Sequence, residues 1–228
     1  LLMEDFRSRG GQALFLGTGY DTHPYHLYAK NGFVGLMPMD GTMAYYSDSE
    51  ASFYQGYFSG RATVERLGWP HWSASVPLFT GEFDGIVRSH VMGNFGRAST
   101  EGPMIPMERD ELSRKEDGKG ARSAVLEIAE TGAVAGFATS GRNNLWPGSQ
   151  IVDLYCHPDY WEQGEDLLES IEIPSADRQL AYCDTGLEAK ETILRAAGFT
   201  PVATYKNRVA VDVERTRFID VTEWERAS

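Results

Sequence analysis

Two aspartates stand where a carboxylate could do acid–base work. Asp153 lies inside the apolar run IVDLYC over 151–156, and Asp184 closes a second such run, QLAYC, over 179–183. A carboxylate beside a cleft can deprotonate an amine, and two near one cleft perturb each other's proton affinity. The same residues also read as strand-end carboxylates on a solvated face. His23 and His26 are three apart on one helical segment, and His71 stands between Trp69 and Trp72. A metal site needs three or four converging ligands, which these spacings do not give. No motif supports serine–histidine–aspartate catalysis, and Gly17-Thr18-Gly19 lacks the context of a nucleotide-binding loop and reads as a turn.

The element that positions Asp153 is the stretch 149–174, SQIVDLYCHPDYWEQGEDLLESIEIP. It predicts a buried strand over 151–156, a turn at His157-Pro158-Asp159, and a helix opening near Tyr160 with Asp159 and Glu162 as a capping pair. Leu167, Leu168 and Ile171 form the helix's apolar face, and Pro174 stops it. A strand running straight into a helix N-terminus aims unpaired amides at one point, a common way to hold a phosphate.

On these residues the sequence resembles the GNAT superfamily of acetyl-CoA-dependent N-acetyltransferases. There the central strand ends in L-Y-V-H-P and continues into Y-R-G-Q-G-I-G and a Leu-Leu pair. Leu154, Tyr155, His157, Pro158, Tyr160, Gln163 and Gly164 stand at matching positions. Trp161 replaces the usual Arg, Glu162 and Asp166 replace glycines, and the Leu-Leu pair comes two residues early. The resemblance implies an α+β, three-layer fold: a twisted mixed sheet flanked by helices. It also implies that acetyl-CoA binds as a substrate along Leu154, Tyr155 and Cys156 and at Gln163 and Gly164. Against this, Glu162, Glu165 and Asp166 put three carboxylates where the diphosphate belongs, and each like-charge contact in a partly desolvated site costs of order 1 kcal/mol.

Composition narrows the partners. A chain of 228 residues is long enough for one large domain or one and a half smaller ones. Its net charge of −12 argues against nucleic acid or an anionic membrane, since neither would be drawn in over a distance. Cys156 and Cys183 lie in apolar runs and read as reduced core thiols. No apolar run approaches the length of a membrane span and no signal peptide is visible, so a cytoplasmic protein is expected. The chain opens on Leu1-Leu2-Met3-Glu4-Asp5-Phe6, which reads as a helix entered midway, as in a piece of a longer protein.

Residues 14–33, LFLGTGYDTHPYHLYAKNGF, and 180–199, LAYCDTGLEAKETILRAAGF, align without a gap at an offset of 166. Both read strand, loop, helix, Gly-Phe, and a hairpin pattern follows each. An internal duplication is the economical explanation. The run 27–33, LYAKNGF, also resembles the family's closing L-Y-x-K-x-G-F. Residues 1–47 are therefore expected to be the second half of a first unit, 48–60 a linker carrying aromatics that pack on something, and 61–228 a complete second unit. Within the latter, helices are expected near 73–79 and 83–91, loop over 93–106, a charged helix over 107–116, strands over 124–129, 134–139 and 179–183, a helix over 187–197 with Ala189, Ile193 and Ala197 buried, and short polar elements over 216–228. Val134-Ala135-Gly136-Phe137 matches a V-x-G-F that family members place in the second of these strands.

By resemblance, Tyr28 holds the place of the tyrosine that protonates the leaving thiolate, with Asp153 as base. The implied reaction is acetyl transfer from acetyl-CoA to a primary amine of a small molecule, in a protein that could pair as a homodimer. In the second unit Leu194 stands at the tyrosine's place and has no proton to give. With Glu162 and Asp166 it supports a rival: a degenerate GNAT-fold domain that packs, dimerises or grips substrate for an upstream catalytic unit. An open, V-shaped gap with free amides between the 151–156 and 179–183 strands would keep the enzyme reading; a gap filled by Trp161 or Tyr155 would sink it.

Overall fold

The computed structural model describes residues 2–226. Leu1, Ala227 and Ser228, which the sequence assigns to the opening helix and the polar tail, lie outside the described residues.

The first part of the chain runs α1 (Leu2–Ser8), β1 (Ala13–Gly17), α2 (His23–Lys30), β2 (Val34–Gly35) and β3 (Thr42–Tyr46). Its three strands form a small antiparallel sheet in the order β1-β3-β2. Phe33, Met43 and Tyr45 are its buried core, against which Leu14, Leu16, Tyr25 and Tyr28 pack. Then comes α3 (Glu50–Tyr57), opened by Ser49, whose side chain accepts from the Ser52 amide.

The larger part contains β4 (Ala62–Arg66), α4 (Trp69–Ala74), α5 (Val76–Thr80), β5 (Val87–Ser89), β6 (Asn94–Phe95), α6 (Glu101–Glu116), β7 (Ser123–Ile128), β8 (Ala133–Arg142), β9 (Ser149–Cys156), a 3-10 turn (Pro158–Gln163), α7 (Gly164–Glu169), β10 (Arg178–Asp184), α8 (Glu188–Ala196), β11 (Thr200–Ala210) and β12 (Phe218–Arg226). Seven of its strands make one mixed sheet in the order β11-β12-β10-β9-β8-β7-β4. Helices flank it, as the α+β expectation requires. Among the described residues only β9 and β10 run parallel, and they pair at three positions, Ser149–Arg178, Gln150–Gln179 and Ile151–Leu180. Beyond Ile151 and Leu180 the two strands part. The run over 151–156 is buried throughout, and apolar or aromatic at every position but Asp153, because both faces of β9 are covered.

Strand alternation divides the residues beside this gap between two faces. Asp153 and Tyr155 share a face with Phe79 of α5, whose ring lies 5.9 Å from that of Tyr155. Leu154 and Cys156 look the other way, toward α7 and α8.

The edge of the large sheet repeats the small one. In each, a strand and helix are followed by two strands of which the last lies in the middle: β1-β3-β2 and β10-β12-β11. The pairs Ala13–Tyr46 and Gln179–Arg226 occupy equivalent places. The sheets differ at one edge. β10 continues onto β9, whereas the corresponding edge of β1 has no strand beside it among the described residues.

Several local expectations change. The helix expected over 83–91 is instead an irregular run around β5, because the amides of Ile86, Val87 and Val91 bond to distant carboxylates rather than to carbonyls one turn back. The loop over 93–106 holds β6 and the opening turns of α6; Pro103 falls in the first turn, where no amide bond is needed. Residues 62–66, for which no strand is expected, form β4, and the polar tail is the nine-residue strand β12. The helix after β9 opens at Gly164 rather than near Tyr160 and ends at Glu169 before Pro174 is reached, because a 3-10 turn led by His157 takes the first six residues. On α8 the buried residues are Lys190, Ile193 and Leu194, while Ala189 and Ala197 are half-buried.

Candidate functional site

The gap between β9 and β10 is where the sequence resemblance would seat the acyl carrier, and the chain fills it with its own backbone. Asp184 at the end of β10 accepts from the amides of Ile86 and Val87, one on each carboxylate oxygen, both at 2.7 Å. Asp153 on β9 is fully buried, and its Oδ2 accepts from the Ser89 hydroxyl and the Val91 amide, both at 2.7 Å. Tyr155 donates its hydroxyl to the carbonyl of Asp84 at 3.1 Å. The two strands of the gap thus grip residues 84–91 through side chains.

Lys190 completes the closure from the other face. It is fully buried on α8, yet its Nζ donates to the carbonyl of Val87 at 3.1 Å. Burial pushes both the Cys156 and the Cys183 thiols up, with Lys190 opposing. Behind it, a Cβ on Gly164 would lie 2.5 Å from Ile193 Cδ1 and 3.6 Å from Cys156 Sγ, so α7 and α8 are in direct contact there.

Arg88 holds the segment's shape. Its guanidinium donates to the carbonyls of Gly85, Leu78, Phe79, Gly81 and Phe83 at 2.7–3.3 Å, and stands 5.1 Å over the Tyr155 ring. Gly85 is required: its φ is +94°, and a Cβ there would meet the Tyr155 ring at 3.0 Å. Burial raises the Tyr155 phenol to about 12, with Arg88 opposing, so Tyr155 remains a hydrogen-bond donor at neutral pH.

The residues singled out from the sequence fall into three places. Asp153, Leu154, Tyr155 and Cys156 all lie on β9, each at most 1% exposed. Gln163 and Gly164 lie at the junction of the 3-10 turn and α7, where the Gly164 amide donates to the Trp161 carbonyl. Glu162, Glu165 and Asp166 are exposed around that junction. Tyr28 is apart from all of these, on the small sheet. Its ring lies 5.5 Å from that of Phe33, and it lines an apolar cavity of about 420 Å³ with Leu14, Leu16 and Leu27. Asp153 and Asp184 act on one object, residues 84–91. Ser89, Arg88 and Lys190 were not foreseen. Lys190 carried a signal, a charged residue three and four positions before Ile193 and Leu194 on the helix's buried face. Among the described residues no group of three or more His, Cys, Asp or Glu side chains could hold a metal ion.

No family model and no curated protein matches this chain. Solved structures do. A protein from Acinetobacter baylyi ADP1, described as an acetyltransferase, aligns with 73% of this chain and 94% of its own at a TM-score of 0.50 and 13% identity. At that identity the likeness is one of fold, and the large unit has the mixed-sheet fold that the GNAT resemblance implies. Two further structures align at a TM-score of 0.49: yncA of Salmonella typhimurium, solved with acetyl-CoA (18% identity, 74% of this chain and 94% of that one), and an N-acetyltransferase of Staphylococcus aureus Mu50 (14%, 74% and 99%). No helix among the described residues is long and apolar enough to cross a membrane.

Proposed function

We propose that residues 61–228 form a GNAT-fold domain that does not turn over acetyl-CoA and serves as a platform for the smaller sheet. The observation that carries this is the grip of Asp153, Asp184 and Lys190 on residues 84–91. A pantetheine arm entering the gap would have to displace a peptide held by four carboxylate hydrogen bonds and a buried ammonium. On this reading Asp153 is a clamp rather than a base. Leu154, Tyr155, Cys156, Gln163 and Gly164 are packing residues rather than a cofactor cradle.

The same proposal makes residues 1–47 the closing part of a first such unit, 48–60 the linker, and the whole a tandem duplication in a cytoplasmic protein. The gapless alignment at an offset of 166, the common strand order and two free, buried cysteines support it.

A second reading has one specific observation behind it: among the described residues no strand lies beside β1, and Tyr28 lines the cavity next to that edge. A parallel strand there would create a second β9–β10-like gap with a tyrosine on its helix. Acetyl transfer to a primary amine would then occur at that gap. The amine nitrogen forms a bond to the thioester carbon, the carbon–sulfur bond breaks, the thiolate takes the Tyr28 proton, and the nitrogen gives its proton to a base.

Calorimetric titration of this chain with acetyl-CoA tests the platform reading. It predicts no saturable binding at millimolar cofactor. Saturable binding with amide protection over 154–164 overturns it, whereas binding protected over 13–33 supports the second reading instead.

A further inference from the structure

A second cleft, of about 750 Å³, opens on the face of the sheet that carries Tyr182 and Glu223. Val87 and His90 of the gap-filling segment are part of its wall, so it is walled off from the β9–β10 gap by the chain itself. Its apolar surfaces are flat. The His90 ring lies against Tyr182 with centroids 4.7 Å apart, and Phe95 meets His90 edge-on at 6.0 Å. Trp146 and Leu145 stand at its edge, 61% and 82% exposed. They are not loose: Asn143 Oδ1 accepts from both of their amides, which fixes the 143–146 turn.

The charges in this cleft are unequal. Glu223 is already engaged, by Arg178 at 3.4 Å and by the Tyr205 hydroxyl at 3.1 Å. Arg208 and Arg215 also line the cleft, and among the described residues neither makes an ion pair. Arg208 lies 5.8 Å from the centre of the Tyr205 ring, a stacked position that leaves the guanidinium edge free. In a chain of net charge −12, two unpaired guanidiniums beside exposed rings mark a local site for a negative group.

We propose that this cleft binds a flat aromatic acid, its ring lying among Trp146, His90 and Tyr182 and its carboxylate taken by Arg208 and Arg215. The occupant is opposite in charge to the amine that an acetyltransferase accepts, and the site is a binding site rather than a reaction centre. The inference rests on the platform reading in one respect: residues 84–91 remain in the gap and form part of the wall.

The test uses three probes with one ring: 1-naphthoate, its neutral amide, and 1-naphthylmethylamine, each titrated calorimetrically into this chain. The expected order is acid first, the amide weaker by about tenfold, and the amine without saturable binding. Arg208→Gln with Arg215→Gln should abolish the preference for the acid over the amide while leaving the thermal unfolding midpoint in place, since both side chains lie outside the core. Absence of saturable naphthoate binding, or equal binding of all three probes, overturns the proposal. Repeating the naphthoate titration with millimolar acetyl-CoA separates the two readings. Unchanged binding supports both; binding lost on adding acetyl-CoA retains the cleft and overturns the closed gap.

Discussion

Arg88 illustrates how one buried side chain sets a backbone path. It is 1% exposed, burial lowers its proton affinity, and five carbonyl oxygens compensate for the lost water. Removing it leaves those carbonyls unsatisfied around a void. Arg88→Met should destabilise the chain by about 3–5 kcal/mol in urea unfolding, and a loss below about 1 kcal/mol would contradict the cage. Glu108 on α6 is the opposite case, a carboxyl 2% exposed and pushed up to about 7 by burial, with the Trp72 backbone opposing. The folded chain keeps a proton there that the unfolded chain, near the ordinary 4.5, gives up. Its contribution is therefore fully present below about 4.5 and is lost as pH rises through about 7. Glu108→Gln should stabilise by about 1–3 kcal/mol at about pH 8 and by progressively less toward about pH 5, read from urea midpoints. Equal stability of the two proteins at both values would contradict this assignment.

At the scale of elements, α3 joins the two sheets through stacked rings. Phe53 meets Phe15 and Tyr46 of the small sheet at 6.1 and 5.6 Å and stacks on Tyr57 at 5.0 Å. Tyr54 stacks on Phe58, and Phe58 lies 4.2 Å from the His157 ring at the end of β9. Arg97 adds a polar tie by donating to the carbonyls of Leu36 and Thr80. Phe53→Ala should raise amide exchange across β1 and β3 while β7 to β9 keep their protection, since the ring meets the small sheet directly and reaches the large core only through Tyr54 and Tyr57. Equal loosening of both sheets would contradict the ladder. The sequence makes β9 and the turn after it readable, because apolar run, turn residues and helix follow one another locally. It does not make β5 readable. The partners of Ile86, Val87, Ser89 and Val91 stand 62 to 98 positions away, and no local period encodes a backbone held by remote carboxylates. Asp153 and Asp184 were visible as a pair; that their shared ligand is peptide was not.

For the whole molecule, the strand order β1-β3-β2 of the small sheet recurs as β10-β12-β11 at the edge of the large one. The gap between β9 and β10 is closed by residues 84–91, and among the described residues no strand lies beside β1. On the proposed reading, closing this gap stiffens a domain that then supports the smaller sheet. The most direct measurement of that closure is amide hydrogen exchange at Ile86, Val87 and Val91, with and without millimolar acetyl-CoA. The account predicts that all three amides exchange only as slowly as global unfolding allows, and that the cofactor leaves them unchanged. Rapid exchange at these amides, or protection that shifts from them to residues 154–164 when acetyl-CoA is added, would contradict it.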